Sequence, residues 1–228
     1  MNAAALNPAA TAATAPSGPR FRTWHLFTLL AVASMVVTWF YNSHVMTDEV
    51  YRHLLSANLD SGRVDDLIAG RAQSAVWVYV VLPAVLWVRL AFVALVLQFF
   101  MLLTLNDVPV KKLFAASAWA FIPLLYEQAL RCMWLARLGV DGIDQDSLAL
   151  RPVSIASLFM DAGQSGHALY SLANMVNAFE LGWAVLMFLA LRRTGRVSRV
   201  SAVMLVLGVW LLFTGFQWGL GLYLTRTA

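Results

Sequence analysis

Cysteine is almost absent from this chain, because Cys132 is the only one among its 228 residues. A single cysteine excludes a disulfide within the chain and leaves no cysteine pair for a zinc site. We interpret Cys132 as a small packing residue in a helix.

Charge is also scarce. Charged residues make up 12% of the chain, about half the share of a soluble domain. Hydrophobic residues make up 61%, and the mean hydropathy is +0.70. A lipid bilayer supplies the apolar solvent that such a composition requires. The composition therefore predicts an all-α membrane protein with a single membrane domain.

Sequence motifs of the common enzyme classes are missing as well. The chain has no glycine-rich phosphate loop, no G-x-S-x-G and no H-E-x-x-H. Its four histidines are scattered, and no basic stripe indicates nucleic-acid binding. We therefore expect no enzymatic activity, cofactor, metal or nucleic-acid partner. The alternative, a membrane enzyme acting through its polar loops, would use Asp141, Asp144, Asp146, Asp161 and His167.

Five apolar segments predict five transmembrane helices after a disordered tail over residues 1–22. Their predicted ranges are 23–41, 83–105, 113–135, 171–191 and 200–224, within a membrane domain over 23–224. The first apolar run continues past the small residues around Ala33, so we expect an uncleaved span rather than a signal peptide.

The apolar run 75–105 would be roughly 45 Å long as one helix, whereas the hydrocarbon core is about 30 Å thick. We expect a kink at Pro83, with an interfacial section before it. Short amphipathic helices are also predicted in the outer loops. One covers 49–55 and turns Tyr51, Leu54 and Leu55 toward apolar surroundings, and another, interfacial or re-entrant, lies within 153–170.

The positions of the basic residues predict the orientation. Cytoplasmic loops carry an excess of Lys and Arg. With a cytoplasmic N-terminus, three short inside segments contain Arg20, Arg22, Lys111, Lys112, Arg192, Arg193, Arg196 and Arg199. Nine of the twelve acidic residues then lie outside. We expect a cytoplasmic N-terminus, an external C-terminus and, from the Ala- and Arg-rich composition, a bacterial inner membrane.

Three ionisable residues lie at similar depth in the predicted second and third spans: Arg89, Glu127 and Arg131. Charge in the bilayer core is costly and needs a partner. Glu127 and Arg131 have the favourable i, i+4 order, and Arg131 can also reach the outer interface. We predict that Arg89 pairs with Glu127 between helices as a structural link, with proton or ion movement as the alternative.

The predicted fourth span carries Asn174, Asn177 and Glu180 at intervals of three residues. On a continuous helix this spacing places all three on one face. Interhelical hydrogen bonding is one interpretation of this polar stripe, and a ligand or partner site is the other. In the last span, Gly215 and Gly219 have a small-xxx-small spacing that predicts close helix packing, within the chain rather than in a dimer.

The second half of the chain resembles the bacterial Yip (Ypt-interacting protein) domain family. Residues Leu172–Trp183 are similar to its l-D-x-F-x-x-W segment, and Lys111–Pro123 to its f-k-x-l-l-x-x-x-y-x-x-x-P segment. The resemblance covers about residues 75–224 and includes the basic turn 192–199. Asn177 stands where the family has Asp, with Glu180 as the residue that could substitute, and the Trp is displaced by one position.

The resemblance implies five spans and a non-catalytic role. Eukaryotic members are membrane adaptors that bind small GTPases, and some bacterial relatives accompany macrolide-exporter-type ABC transporters as accessory subunits. We therefore expect an adaptor or accessory subunit that binds another integral membrane protein, such as an ABC transporter permease. The alternative is a small transporter or channel that uses the polar stripe, and a homo-oligomer is compatible with either.

Overall fold

The computed structural model describes residues 23–56, 59–104, 107–159, 168–194 and 197–227, and the predicted tail 1–22 lies outside them. Within these residues the chain is α-helical, and the only β-type pairing is an isolated bridge between Ser154 and Asn177. Four helical segments are long and apolar enough to cross a bilayer: Thr23–Val45, Gln73–Leu103, Val110–Leu138 and Arg199–Gly219. The predicted class, an all-α integral membrane protein, is confirmed.

The first and third spans each join two elements. Helix α1 (Thr23–Phe40) continues into a π-helical turn over Tyr41–Val45. The third span consists of α4 (Val110–Ala120) and α5 (Ile122–Leu138). Pro123 separates them, because it has no amide hydrogen and its ring crowds the carbonyl of the preceding turn.

The second span differs from its prediction. Helix α3 runs without interruption over Ser61–Leu103 and contains Pro83 in its interior. Its apolar section begins at Gln73 rather than at residue 83, so no separate interfacial segment precedes the proline. A proline removes one backbone hydrogen bond, which a long transmembrane helix tolerates.

The predicted fourth span is interrupted. It consists of α8 (Ala168–Met175), a break at Val176 and Asn177, and α9 (Ala178–Arg193). Asn177 has extended backbone angles and caps α9 by accepting a hydrogen bond from the amide of Glu180. The 16 residues of α9 rise roughly 24 Å, less than the hydrocarbon thickness of about 30 Å. The prediction of one continuous helix over 171–191 is therefore wrong.

Helices α3, α4, α9 and α10 (Arg199–Thr227) form a closed ring of neighbours, and α1 packs outside it against α3, α4 and α5. The largest apolar core lies between the four ring helices, where Leu97, Leu113, Met187 and Leu191 are completely buried. Gly182 lets α9 approach α5 closely, since a Cβ there would lie 3.2 Å from that of Pro123.

The bundle has two distinct ends. The basic end is where Lys111, Lys112, Arg192, Arg193 and Arg199 lie at helix termini. The loop end carries the short helices α2 (Asp48–Leu55), α6 (Gln145–Ala149) and α7 (Ile155–Phe159). Helix α2 confirms the predicted amphipathic helix, because Val50 is buried in an apolar cluster with Tyr51 and Leu54 packed against it.

Candidate functional site: a polar network around Arg151

Arg151 lies in the loop between α6 and α7, and its guanidinium contacts two carboxylates from different helices. It donates to both oxygens of Glu127 on α5, from Nε at 2.6 Å and from Nη2 at 2.9 Å. Its Nη1 donates to Oε1 of Glu180 on α9 at 2.8 Å. The side chains are mostly buried, with 22% of Arg151, 7% of Glu127 and 16% of Glu180 exposed. A bidentate, charge-assisted contact of this kind is among the stronger polar interactions in proteins.

Two further donors complete the contacts of these carboxylates, a second one on Glu127 Oε1 and one on the remaining oxygen of Glu180. Asn177 Nδ2 donates to Glu127 Oε1 at 2.9 Å, and Trp210 Nε1 on α10 donates to Glu180 Oε2 at 2.7 Å. Together, Glu127, Arg151, Asn174, Asn177, Glu180 and Trp210 form what we call the Arg151 network. It joins α5, α9 and α10 to the loop, and it satisfies buried groups that would otherwise be expensive to bury.

Asn174 holds the loop backbone that carries Arg151. Its Oδ1 accepts from the amide of Arg151 at 3.0 Å, and its Nδ2 donates to the carbonyl of Ala149 at 2.8 Å. One side-chain amide therefore replaces two backbone partners, as a neighbouring strand would.

The bridge between Ser154 and Asn177 fixes the other side of the loop. The amide of Ile155 donates to the carbonyl of Val176 at 3.0 Å, and that of Ala178 donates to the carbonyl of Val153 at 3.3 Å. The second bond occupies an amide at the start of α9 that has no partner within its own helix. Val153 has a φ of 57°, the left-handed region that a β-branched residue rarely adopts. The loop thus holds a strained turn after Pro152 through contacts with the helix break.

The depth of the network can be counted along the helices from the basic end. Glu180 is thirteen residues from Arg193 at the basic end, and Glu127 is fifteen from Lys112, so the rise of 1.5 Å per residue places them roughly 20 and 22 Å from that end. The hydrocarbon core is about 30 Å thick. With the basic end placed at one face of this core, the Arg151 network lies within the hydrocarbon thickness, beside the first turn of α9.

Arg89 and Arg131 are not paired with carboxylates as predicted. Both Glu127 oxygens bind Arg151 instead of Arg89, and the guanidinium of Arg89 lies over the ring of Phe121, 5.1 Å from its centroid. Arg131 Nη2 donates to the carbonyl of Leu148 and so ties α5 to α6. The predicted direct pair between Arg89 and Glu127 is therefore wrong, although both residues lie near the same network.

A small cavity adjoins the network between α3, α4, α9 and α10. Its free volume is about 70 Å³, and Arg89, Ser117, Glu180, Thr214 and Gln217 contribute polar groups to its lining. A water molecule needs about 10–15 Å³ of such space and two to four polar partners, so the cavity has room for several waters.

The predicted stripe of Asn174, Asn177 and Glu180 does not occupy one helix face, because Asn177 lies outside both helices. All three nevertheless belong to the Arg151 network, an arrangement that their spacing in the sequence does not predict. Among the described residues, nothing lies within 4 Å of a Cβ built on Gly215 or Gly219, so the predicted packing within the chain is not seen there. Asp161 and His167 lie outside the described residues.

Arg151 is the residue that the sequence interpretation missed. It lies in a predicted loop, outside the spans in which the pairing of charges is predicted. No cluster of three metal-ligating side chains occurs in the described part of the chain. Comparison of the chain with protein-family models, with curated proteins and with solved structures gives no match.

Proposed function

We propose that this protein is a non-catalytic adaptor or accessory subunit that binds another integral membrane protein. The observation that carries the proposal is that the guanidinium of Arg89 is not hydrogen-bonded within the described bundle. Its side chain is exposed on the bundle, and among the described residues its guanidinium donates no hydrogen bond.

The depth of Arg89 makes this state expensive in an isolated chain. It lies fourteen residues from Leu103, roughly 21 Å from the basic end of α3 at 1.5 Å per residue. On insertion scales an arginine costs about 2.5–3.5 kcal/mol at the bilayer centre and less toward either face, and Arg89 lies about 9 Å from the loop-end face of a core about 30 Å thick. The nearest carboxylate oxygens already bind Arg151, Asn177 and Trp210. A carboxylate on a transmembrane helix of a second protein would supply the missing partner.

The interior packing favours an adaptor over a transporter. Between the cavity and the basic end, Leu97, Met101, Leu113 and Met187 are completely buried and fill the space within the ring of helices. The polar groups of the Arg151 network are directed at one another. This arrangement supports a structural role for the network and gives an ion no polar route beyond the cavity within the described bundle.

Further features belong to the same proposal. The resemblance of Lys111–Pro123 and Leu172–Trp183 to segments of the Yip domain family motivates an accessory role beside an ABC-type exporter, whose permease would be the partner. The basic end would then face the cytoplasm of a bacterial inner membrane, with the C-terminus outside.

Co-purification from native membranes tests the proposal. Tagged full-length wild-type chain is compared with Arg89→Gln and with the control Arg137→Gln, which changes an exposed arginine at the end of α5. We expect a membrane protein with an intramembrane Asp or Glu to be recovered with the wild type and the control, and to be lost with Arg89→Gln. Exchanging the charges, Arg89→Glu with the partner's carboxylate changed to Arg, should restore recovery. Wild-type chain recovered at full abundance without any partner would contradict the proposal.

The cavity favours one second candidate function, that of a small transporter. It would require Arg89, Glu180 and Gln217 to bind a polar solute at mid-membrane depth. Solute flux in proteoliposomes that disappears in Arg89→Gln would favour this function. Flux at the level of empty liposomes would exclude it for the solutes tried.

A further inference from the structure

A groove at the basic end runs between α4 and α9 on the outer surface of the bundle. Its volume is about 290 Å³, close to the lower limit of about 300 Å³ for small-molecule sites. Lys112 and Arg193 lie at its outer end, and Trp119, Leu186 and Leu189 line its inner part. The groove is separate from the Arg151 network, because Leu186 at its inner end lies six residues, roughly 9 Å, from Glu180 along α9.

Two helix faces with matching spacing build this groove. On α4, Lys112 and Trp119 are seven residues apart, and on the antiparallel α9, Arg193 and Leu186 are also seven apart. Residues at this interval lie on the same side of a helix, separated by about 10 Å along its axis. The small side chain of Ala190 lies between the two levels on α9 and lines the groove. Each face therefore changes from a cation to apolar groups in the direction of the membrane interior.

The two cations have no partner within the described residues. Both side chains are exposed, and neither forms an ion pair or a side-chain hydrogen bond there. Arg192, the neighbour of Arg193, does have a partner, because its Nη1 donates to the carbonyl of Val197 at 2.7 Å. Lys112 lies in the first turn of α4, where a cation is unfavourable next to the positive end of the helix dipole unless an anion is bound nearby.

We propose that this groove binds one anionic glycerophospholipid of the bilayer. The phosphate would lie between the ammonium of Lys112 and the guanidinium of Arg193, and an acyl chain would follow the groove over Trp119 and Leu189. Charge complementarity and position at the membrane surface select this occupant, because basic pockets between transmembrane helices bind anionic head groups. The apolar inner part distinguishes it from a site for free phosphate.

Native mass spectrometry of the full chain in a non-ionic detergent provides the test. Phosphatidylglycerol and phosphatidylcholine with identical acyl chains are titrated separately. We expect wild-type protein to retain phosphatidylglycerol preferentially. The double variant Lys112→Gln/Arg193→Gln should raise its apparent Kd about thirtyfold, the factor that corresponds to about 1 kcal/mol per cation.

The matched control is Lys111→Gln/Arg199→Gln, which removes the same charge from the same end at residues that do not line the groove. Its apparent Kd should stay within about threefold of wild type, because neither side chain lines the groove where the phosphate would be bound. A second variant, Ala190→Trp, fills the groove and keeps both cations, and it should also release the lipid. Unfolding temperatures close to that of wild type establish that each variant is folded.

Three results would overturn the proposal. The first is equal retention of the two lipids by wild type. The second is an equal loss of affinity in both double variants, which would indicate general attraction to the basic end. The third is full displacement of the lipid by millimolar inorganic phosphate together with unchanged binding in Ala190→Trp, which would indicate an anion site without an acyl groove.

Discussion

Replacing Arg151 by Met is the most direct test of the network. The substitution keeps an unbranched side chain of similar length and removes the guanidinium that donates to Glu127 and Glu180. Because it leaves two buried carboxylates without their cation, we expect the free energy of unfolding to fall by about 3–5 kcal/mol, the usual cost of breaking a buried pair.

The structure supports the upper part of that range. Three donor–acceptor distances of 2.6, 2.8 and 2.9 Å are lost at once. Only 7% of the Glu127 side chain and 16% of that of Glu180 remain exposed, so water replaces the lost donors poorly. The triple variant Glu127→Gln/Arg151→Met/Glu180→Gln removes all three charges and should recover stability to within about 1–2 kcal/mol of wild type.

Titration of the purified chain from a mild detergent into sodium dodecyl sulfate, followed by circular dichroism, measures these differences. Arg52→Met is the matched control, because Arg52 pairs with Asp65 at 3.0 Å with both side chains 61% exposed. An exposed pair contributes at most about 1 kcal/mol. A loss in Arg151→Met no larger than that of the control, or a triple variant as unstable as Arg151→Met, would refute the reasoning.

Three further predictions concern the loop end. Asn174→Ala removes both clamps on the loop backbone and should lower the free energy of unfolding by about 1–3 kcal/mol in the same titration, and a change below about 0.5 kcal/mol would contradict the clamp. Val153→Gly relieves the positive φ and should raise it by about 0.5–1 kcal/mol, whereas Val153→Ala, which keeps a Cβ, should not. Asp144 caps α6, and hydrogen bonds from the amide and the hydroxyl of Ser147 lower the pKa of its carboxyl group. The α6 amides should therefore be protected from hydrogen exchange above about pH 4. This protection should be lost as the pH falls through the lowered pKa. Asp144→Asn caps without titrating, so its protection should not change over that range, and a pH dependence equal to that of wild type would count against the cap.

Four of the five spans could be predicted because the length of an apolar run is a direct physical requirement of the bilayer. The prediction of the fourth span as one continuous helix was wrong because the apolar content of the segment outweighed a local helix-start signal. Asn177 followed by Glu180 three residues later has the pattern of a helix start, in which the Asn side chain accepts from the amide of the third helical residue. That pattern, next to a segment of only 16 apolar-rich residues, indicates an interrupted helix. At Pro83 the interfacial section expected before the proline is not seen, since α3 continues through it and its apolar section begins at Gln73.

The position of Arg151 could not be derived from the sequence. A positively charged residue in a loop is normally exposed to solvent, and nothing in the neighbouring sequence distinguishes Arg151 from Arg137 or Arg71. What places it beside Glu127 is a tertiary contact, made through the clamp of Asn174 and the bridge at Ser154. The prediction that the ionisable groups of the spans pair with one another assigned the correct chemistry to Glu127 but the wrong cation.

The network has a physical role that its burial alone does not explain. Non-helical backbone is tolerated at membrane depth only where its amides and carbonyls are satisfied by protein or water. Around Arg151, the Asn174 side chain satisfies the amide of Arg151 and the carbonyl of Ala149, and the bridge satisfies the carbonyls of Val153 and Val176. The ion pairs then fix this loop to α5 and α9. A loop anchored so firmly serves to position surfaces rather than to open a path, so rigidity of the loop end is itself an expectation of the adaptor proposal. Slow amide exchange at residues 149–155 would agree with it, and exchange as fast as in an unstructured chain would contradict it.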